Sequence, residues 1–135
     1  MFKLIIGVKG TGKTKTLIGL VNEAVSNSKG AVICIEKGEK LRYDVKYQAR
    51  LINTEEYFVD DAQSLFGFVA GIFASNHDVT DLFIDSALKI CQNDAEAFDK
   101  FLGEMNALVE KLNVNVVMTS SLPVDNASET VKKFI

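Results

Sequence analysis

The stretch Leu4 to Thr16, LIIGVKGTGKTKT, sets an aliphatic run directly against a turn of glycines, threonines and lysines. Few local patterns restrict a fold as tightly. Gly7-Val8-Lys9-Gly10-Thr11-Gly12-Lys13-Thr14 satisfies G-x-x-x-x-G-K-[ST], the pattern of a loop that cradles phosphates. Glycines reach backbone conformations closed to other residues, so successive N–H groups can turn inward around anionic oxygens. A helix opening at Lys13 aims the positive end of its dipole at the same point. In this pattern Lys13 brings a point charge to the β and γ phosphates, and the Thr14 hydroxyl ligates Mg²⁺. Such a loop requires a buried strand before it and a helix after it.

The sequence offers both. Phe2 to Ile6 is almost wholly apolar and stops at Gly7, which suits a strand covered on both faces and hence a parallel sheet. From Lys13 to about Ser28, Leu17, Leu20, Val21, Ala24 and Val25 form the stripe of an amphipathic helix that ends near Gly30. Ala31 to Ile35 predicts a second buried strand. The polar stretch Glu36 to Lys40 and the following LRYDVKYQARLIN admit either a hairpin or a short helix and strand. Leu65, Phe68, Val69, Ile72 and Phe73 then recur at helical spacing after Asp60-Asp61, which can cap the helix. Leu82-Phe83-Ile84 predicts an interior strand ending at Asp85. Asn93 or Asp94 can cap a further helix whose face carries Phe98, Phe101, Leu102, Met105, Val109 and Leu112. Val114 to Met118 predicts the last strand, and the tail after Pro123 either adds an edge strand or frays. Alternating strands and helices predict an α/β fold, a three-layer α/β/α sandwich around a mostly parallel five-stranded sheet.

Bulk properties set bounds on this reading. A chain of 135 residues, 47% hydrophobic, fits a single nucleotide-binding domain over residues 1–135. Cys34 and Cys91 lie far apart and belong to no CxxC pair, which fits reduced, buried thiols. The lone histidine, His77, sits in a polar stretch and reads as a loop residue. A net charge of −3 gives no overall basic balance, so nucleic-acid binding is not indicated. The apolar run near Met1 is too short for a signal peptide and no stretch suits a membrane span, so the expectation is a soluble, cytoplasmic protein.

A phosphate loop needs a second carboxylate near its metal. Asp85 is the better candidate, because it closes an apolar strand at the carboxyl end, where ligands bind in open α/β sheets. Asp81 is the rival, at the start of the same strand. Ser86 follows Asp85 where many ATPases carry glutamate, so a base that activates water must come from elsewhere. Glu36, closing the second strand at the same edge, is the candidate.

These segments together resemble the RecA-like branch of P-loop ATPases, which includes the RecA and KaiC families. The likeness spans GVKGTGKTKT and its helix, AVICIE, VTDLFIDS, and FDKFLGEMNALVEKLNVNVVMTSSLP. It implies ATP and Mg²⁺ as ligands, with a sheet order 5-1-4-3-2 that puts the P-loop strand inside. It implies Lys13, Glu36 and Asp85 as catalytic residues and Thr14 and Asp85 as metal ligands. Nucleotide contacts would run from Gly7, Val8 and Lys9 through Gly10, Thr11, Gly12, Lys13 and Thr14 to Lys15. A polar residue ending the fifth strand would sense the γ-phosphate, pointing to Thr119, Ser120 or Ser121, with Ser120 the assigned one. Lys9 lies four residues before Lys13, one fewer than the signature lysine of the MinD-like ATPases, so that subclass is not indicated. The chain has almost nothing after its fifth strand, which argues against strand transfer and a helicase motor. An arginine finger would be Arg42, Arg50, or a contribution from a protein partner or a second copy. The side chains of Lys15, Lys37 and Lys40 read as solvated.

The resulting expectation is an ATP-binding protein acting as a weak Mg²⁺-dependent ATPase or an ATP-driven switch. A small-molecule or nucleoside kinase and a non-hydrolysing regulatory module are the alternatives.

Overall fold

In the computed structural model, which describes residues 1–135, five parallel strands form one sheet in the order β1-β5-β4-β2-β3. The strands are β1 (Phe2–Gly7), β2 (Ala31–Glu36), β3 (Arg50–Asn53), β4 (Val79–Ile84) and β5 (Asn115–Ser121). The helices are α1 (Lys13–Asn27), α2 (Ala62–Ser75), a single turn α3 (Ala87–Ile90), α4 (Ala95–Leu112) and the short α5 (Glu129–Lys132). No helix is long and apolar enough to cross a membrane.

Side chains alternate across each strand, and the alternation sorts the core into two layers. Ile33, Ile35, Leu82, Ile84, Val116 and Met118 face α2 and α4, meeting Leu65, Val69, Phe73, Phe98, Phe101, Leu102 and Met105. Val32, Cys34, Phe83 and Val117 face α1, meeting Leu17 and Val21. Helical layers thus cover both faces of an α/β sheet. Leu112, at the end of the predicted α4 stripe, is 39% exposed rather than buried.

Residues 37–49, left open by the sequence, form turns that cross the α1 face and bury Leu41, Val45 and Ala49 against that layer. They join two parallel neighbours, β2 and β3, a connection that needs about a dozen residues whether or not it is helical. Asn22 of α1 pins this crossing, its Nδ2 donating to the Asp44 carbonyl at 2.9 Å and its Oδ1 accepting from Lys46 N–H at 2.8 Å.

The sheet order corrects the expected 5-1-4-3-2. At each end of the sheet two strands are exchanged: β1 lies at one edge rather than inside, and β3 lies at the other rather than β2. The physical reason lies in composition. β5 buries five consecutive residues from Val116 to Ser120 and β2 five from Val32 to Glu36, whereas β1 carries Lys3 and β3 carries Arg50 and Asn53. Interior strands of a parallel sheet tolerate few charges, and edge strands tolerate them readily. The outer side of β1 is not bordered by a strand of residues 1–135. Instead the chain's last turn borders it, with Leu4 N–H donating to the Phe134 carbonyl at 2.8 Å and the Phe2 and Phe134 rings 4.9 Å apart. The tail therefore neither frays nor adds a strand. At Gly30, before β2, an added Cβ would lie 2.2 Å from the Asp78 carbonyl oxygen, so only glycine permits this approach of chain to β4.

Candidate functional site

The carboxyl ends of β1, β5, β4 and β2 all open on one edge, and the glycine-rich loop lies there between β1 and α1. Gly10 and Gly12 both have φ of 86°, a region that disfavours side-chain-bearing residues. Gly12 is the N-cap of α1 and offers no side chain to its first turn. The backbone N–H groups of Gly10, Gly12, Lys13, Thr14 and Lys15 donate to no acceptor in the protein, the first bond of the helix being Thr16 N–H to Gly12 O at 3.0 Å. The Val8 carbonyl accepts from both Thr11 Oγ1, at 2.7 Å, and Lys13 Nζ, at 2.8 Å. The lysine charge therefore stays folded onto its own loop, while a row of amide donors remains free.

Asp85 follows β4 on the face of Phe83, the face covered by α1. Its carboxylate accepts from the Thr14 hydroxyl at 3.2 and 3.3 Å and from Thr119 Oγ1 at 2.7 Å. Thr119 belongs to β5, the strand between β1 and β4, and shares the α1 face with Val117. Its hydroxyl oxygen accepts in turn from Ser86 N–H at 2.8 Å. One chain of hydrogen bonds thus runs from the start of α1 through Asp85 and Thr119 to the backbone at Ser86. Asp81, at the amino end of β4, instead accepts from Thr80 and Asn115 on the far side of the sheet's length.

A cleft of about 490 Å³ opens between these elements. Lys9, Gly10, Gly12, Lys13, Thr14 and Lys15 line it from the loop and α1, Asp85 and Thr119 from the strand ends, and Lys40, Ser86, Lys89, Asn93 and Ser121 from the remaining walls. Five of those residues are lysines and one, Asp85, is a carboxylate, although the chain as a whole is acidic. The only ion pairs in the protein, Arg42–Glu39 and Lys132–Glu129, involve none of them. Such a concentration of unpaired positive charge with free amides suits a polyanion.

Several expected site residues therefore meet, namely Gly10, Gly12, Lys13, Thr14, Lys15, Lys9 and Asp85. Gly7, Val8 and Thr11 build the loop without lining the cleft. Ser120 points to the opposite face of β5, fully buried, where its hydroxyl donates to the Thr119 carbonyl and accepts from Leu88 N–H. Its neighbours Thr119 and Ser121 line the cleft. Glu36 reaches the same sheet edge but turns aside: it is 2% exposed, and its two oxygens accept from Lys40 N–H at 3.0 Å and Leu41 N–H at 3.1 Å. Burial pushes its carboxyl above the ordinary range, those two amides pull it back, and the charge of Asp85 raises it. Lys89, on α3, carried no signal in the sequence, Lys40 read as solvated and Asn93 as a possible helix cap, yet all three line the cleft.

The donor set fits a small hard cation. Mg²⁺ takes oxygen ligands, retains several waters and is commonly held through one carboxylate and the substrate's phosphates. The Thr14 hydroxyl and Asp85 carboxylate, already within hydrogen-bond distance beside the free amides, are that kind of set.

No protein-family model matches the chain, and no curated protein matches it.

Proposed function

We propose that this protein is a P-loop nucleotide-binding protein of the RecA-like kind, binding a nucleoside triphosphate with Mg²⁺ and acting as a slow hydrolase or switch. The observation that carries the reading is the contact between Thr14 and Asp85 at the mouth of a loop most of whose amides have no acceptor. In that reading the amides of Gly10 and of Gly12 to Lys15 and the Lys13 ammonium bind and orient the phosphates. Thr14 and Asp85 would hold Mg²⁺, which supplies charge neutralisation on the phosphate oxygens when bound. Thr119 fixes the Asp85 carboxylate by donating to it, and its bond from Ser86 ties the same group to the start of α3.

One feature favours switching over rapid turnover. Asp85 is the only carboxylate lining the cleft, and Glu36 has committed both oxygens to backbone amides, so no free base stands ready beside an attacking water. Unassisted hydrolysis in P-loop switches is slower by roughly 10³–10⁵-fold than hydrolysis assisted by an arginine. On this reading the protein works in the cytoplasm, where triphosphates are plentiful and Cys34 and Cys91 stay reduced.

The test is calorimetric titration with a nonhydrolysable ATP analogue and Mg²⁺. Lys13→Ala is expected to weaken binding about tenfold or more, the loss of one charge-assisted contact. Equal affinity of wild type and Lys13→Ala would remove the assignment.

A further inference from the structure

The loop amides would bind the phosphates of a triphosphate or a diphosphate alike, and Lys13, placed between the β and γ positions, keeps its β contact with either. Two other lysines enter the cleft from elsewhere in the fold. Lys40 sits on the turn after β2, and Lys89 on α3, after β4. Both ammonium groups are exposed, and neither has a carboxylate partner.

Their side chains are mobile by nature, but the backbone beneath each is fixed from below. The Lys40 and Leu41 N–H groups are held by the two oxygens of Glu36, and Leu41 itself is buried. The turn bearing Lys89 is held by Ser86 N–H donating to Thr119 Oγ1 and Leu88 N–H donating to Ser120 Oγ, with Leu88 and Ile90 buried on either side. Buried polar groups are committed to these positions: Glu36, Thr119 and Ser120 are 2%, 1% and 0% exposed. Converging like charges repel one another, so their placement beside Lys9, Lys13 and Lys15 lowers free energy only when an anion of high charge sits among them.

We infer that Lys40 and Lys89 are the residues that select a nucleoside triphosphate over the diphosphate, by contacting the terminal phosphate from the β2–β4 side of the cleft. The inference rests on the polyphosphate reading given above. The terminal phosphate adds about one unit or more of negative charge, and two ammonium groups beyond the loop give that charge a partner the diphosphate cannot use.

Calorimetric titration of wild type, Lys40→Ala, Lys89→Ala and the double variant, each with Mg²⁺-ADP and with a Mg²⁺-bound nonhydrolysable ATP analogue, tests it. Lys37→Ala, exposed and outside the cleft, is the control. Each single substitution is expected to weaken the triphosphate analogue about tenfold while changing diphosphate affinity by less than about twofold. The double variant should bind the two ligands nearly alike. Equal losses for both ligands, or no loss for either, would overturn the selection by these lysines while leaving the site in place. Wild type binding neither ligand would overturn the site itself and the inference with it.

Discussion

Glu36 illustrates how much a single side chain can be asked to hold. Its carboxylate lies under the turn that carries Lys40, and burial, the largest influence, raises its proton affinity above the ordinary carboxylate value of 4.5. A group with a higher pKa folded than unfolded binds more protons in the native state, so stability falls as pH rises through the window from about 4.5 up to the raised value. Glu36→Gln removes this titration. Paired urea melts across that window should therefore show the stability of wild type relative to Glu36→Gln declining with rising pH; a difference independent of pH would show that the burial is not felt. Other site residues differed in how visible they were. Thr14 and Asp85 were legible because a local motif fixed one and an apolar strand's carboxyl end fixed the other. The choice among Thr119, Ser120 and Ser121 was not, since β5 is apolar on both faces and sequence carries no mark of which parity faces α1. Lys40 and Lys89 were illegible for a different reason: exposed lysines are common, and only the convergence of distant turns brings these two to the cleft.

At the level of elements, the three long helices α1, α2 and α4 were the legible part, because each has one buried stripe and an identifiable start, whereas the single turns α3 and α5 left no periodic trace. Asp61 caps α2, accepting from Ser64 N–H at 2.8 Å, while Ser64 Oγ accepts in return from the Asp61 N–H. For α4 the sequence left Asn93 and Asp94 open, and the structure uses Asp94, whose side chain accepts from Ala97 N–H at 3.1 Å; Asn93 instead takes a positive φ of 55°. Loss of such a cap costs about 1 kcal/mol, so Asp94→Ala should lower the urea midpoint with an unchanged slope. A shift in slope instead would mean that α4 unfolds separately from the sheet. Strand order was not legible in the same way. Neighbours in a parallel sheet are set by crossover connections, which leave no periodic trace, and the resemblance supplied an order that the edges contradict. A cue was nonetheless present in the residues: Lys3 in β1 and Arg50 in β3 are charges on edge strands, whereas β5 carries none and β2 only Glu36 at its end; β4, at the centre, carries Asp81 near its start.

Across the whole molecule, the candidate site depends on an edge strand. β1 leads directly into Gly7 and the loop, yet it pairs with β5 on one side only. Its outer side is closed by the end of the chain, where Val131 is buried in the larger core layer, Phe134 packs on Phe2, and the Phe134 carbonyl takes the Leu4 N–H. An open strand edge frays readily and recruits other strands, so this closure steadies the strand from which the glycine-rich loop springs. The glycine loop can keep its amides unbonded because both of its ends are held, by α1 packing through Leu17 and Val21 and by β1 between β5 and the tail. Phe134→Ala removes the ring contact while leaving the backbone free to bond. A partly buried aromatic pair of this kind contributes on the order of 1 kcal/mol beyond its area. Hydrogen exchange should then show faster opening at the Leu4 amide, with amides of β4, at the centre of the sheet, opening at the rate set by global stability. If Leu4 remained as protected as in the wild type, the tail would be a passenger and β1 would be held by β5 alone.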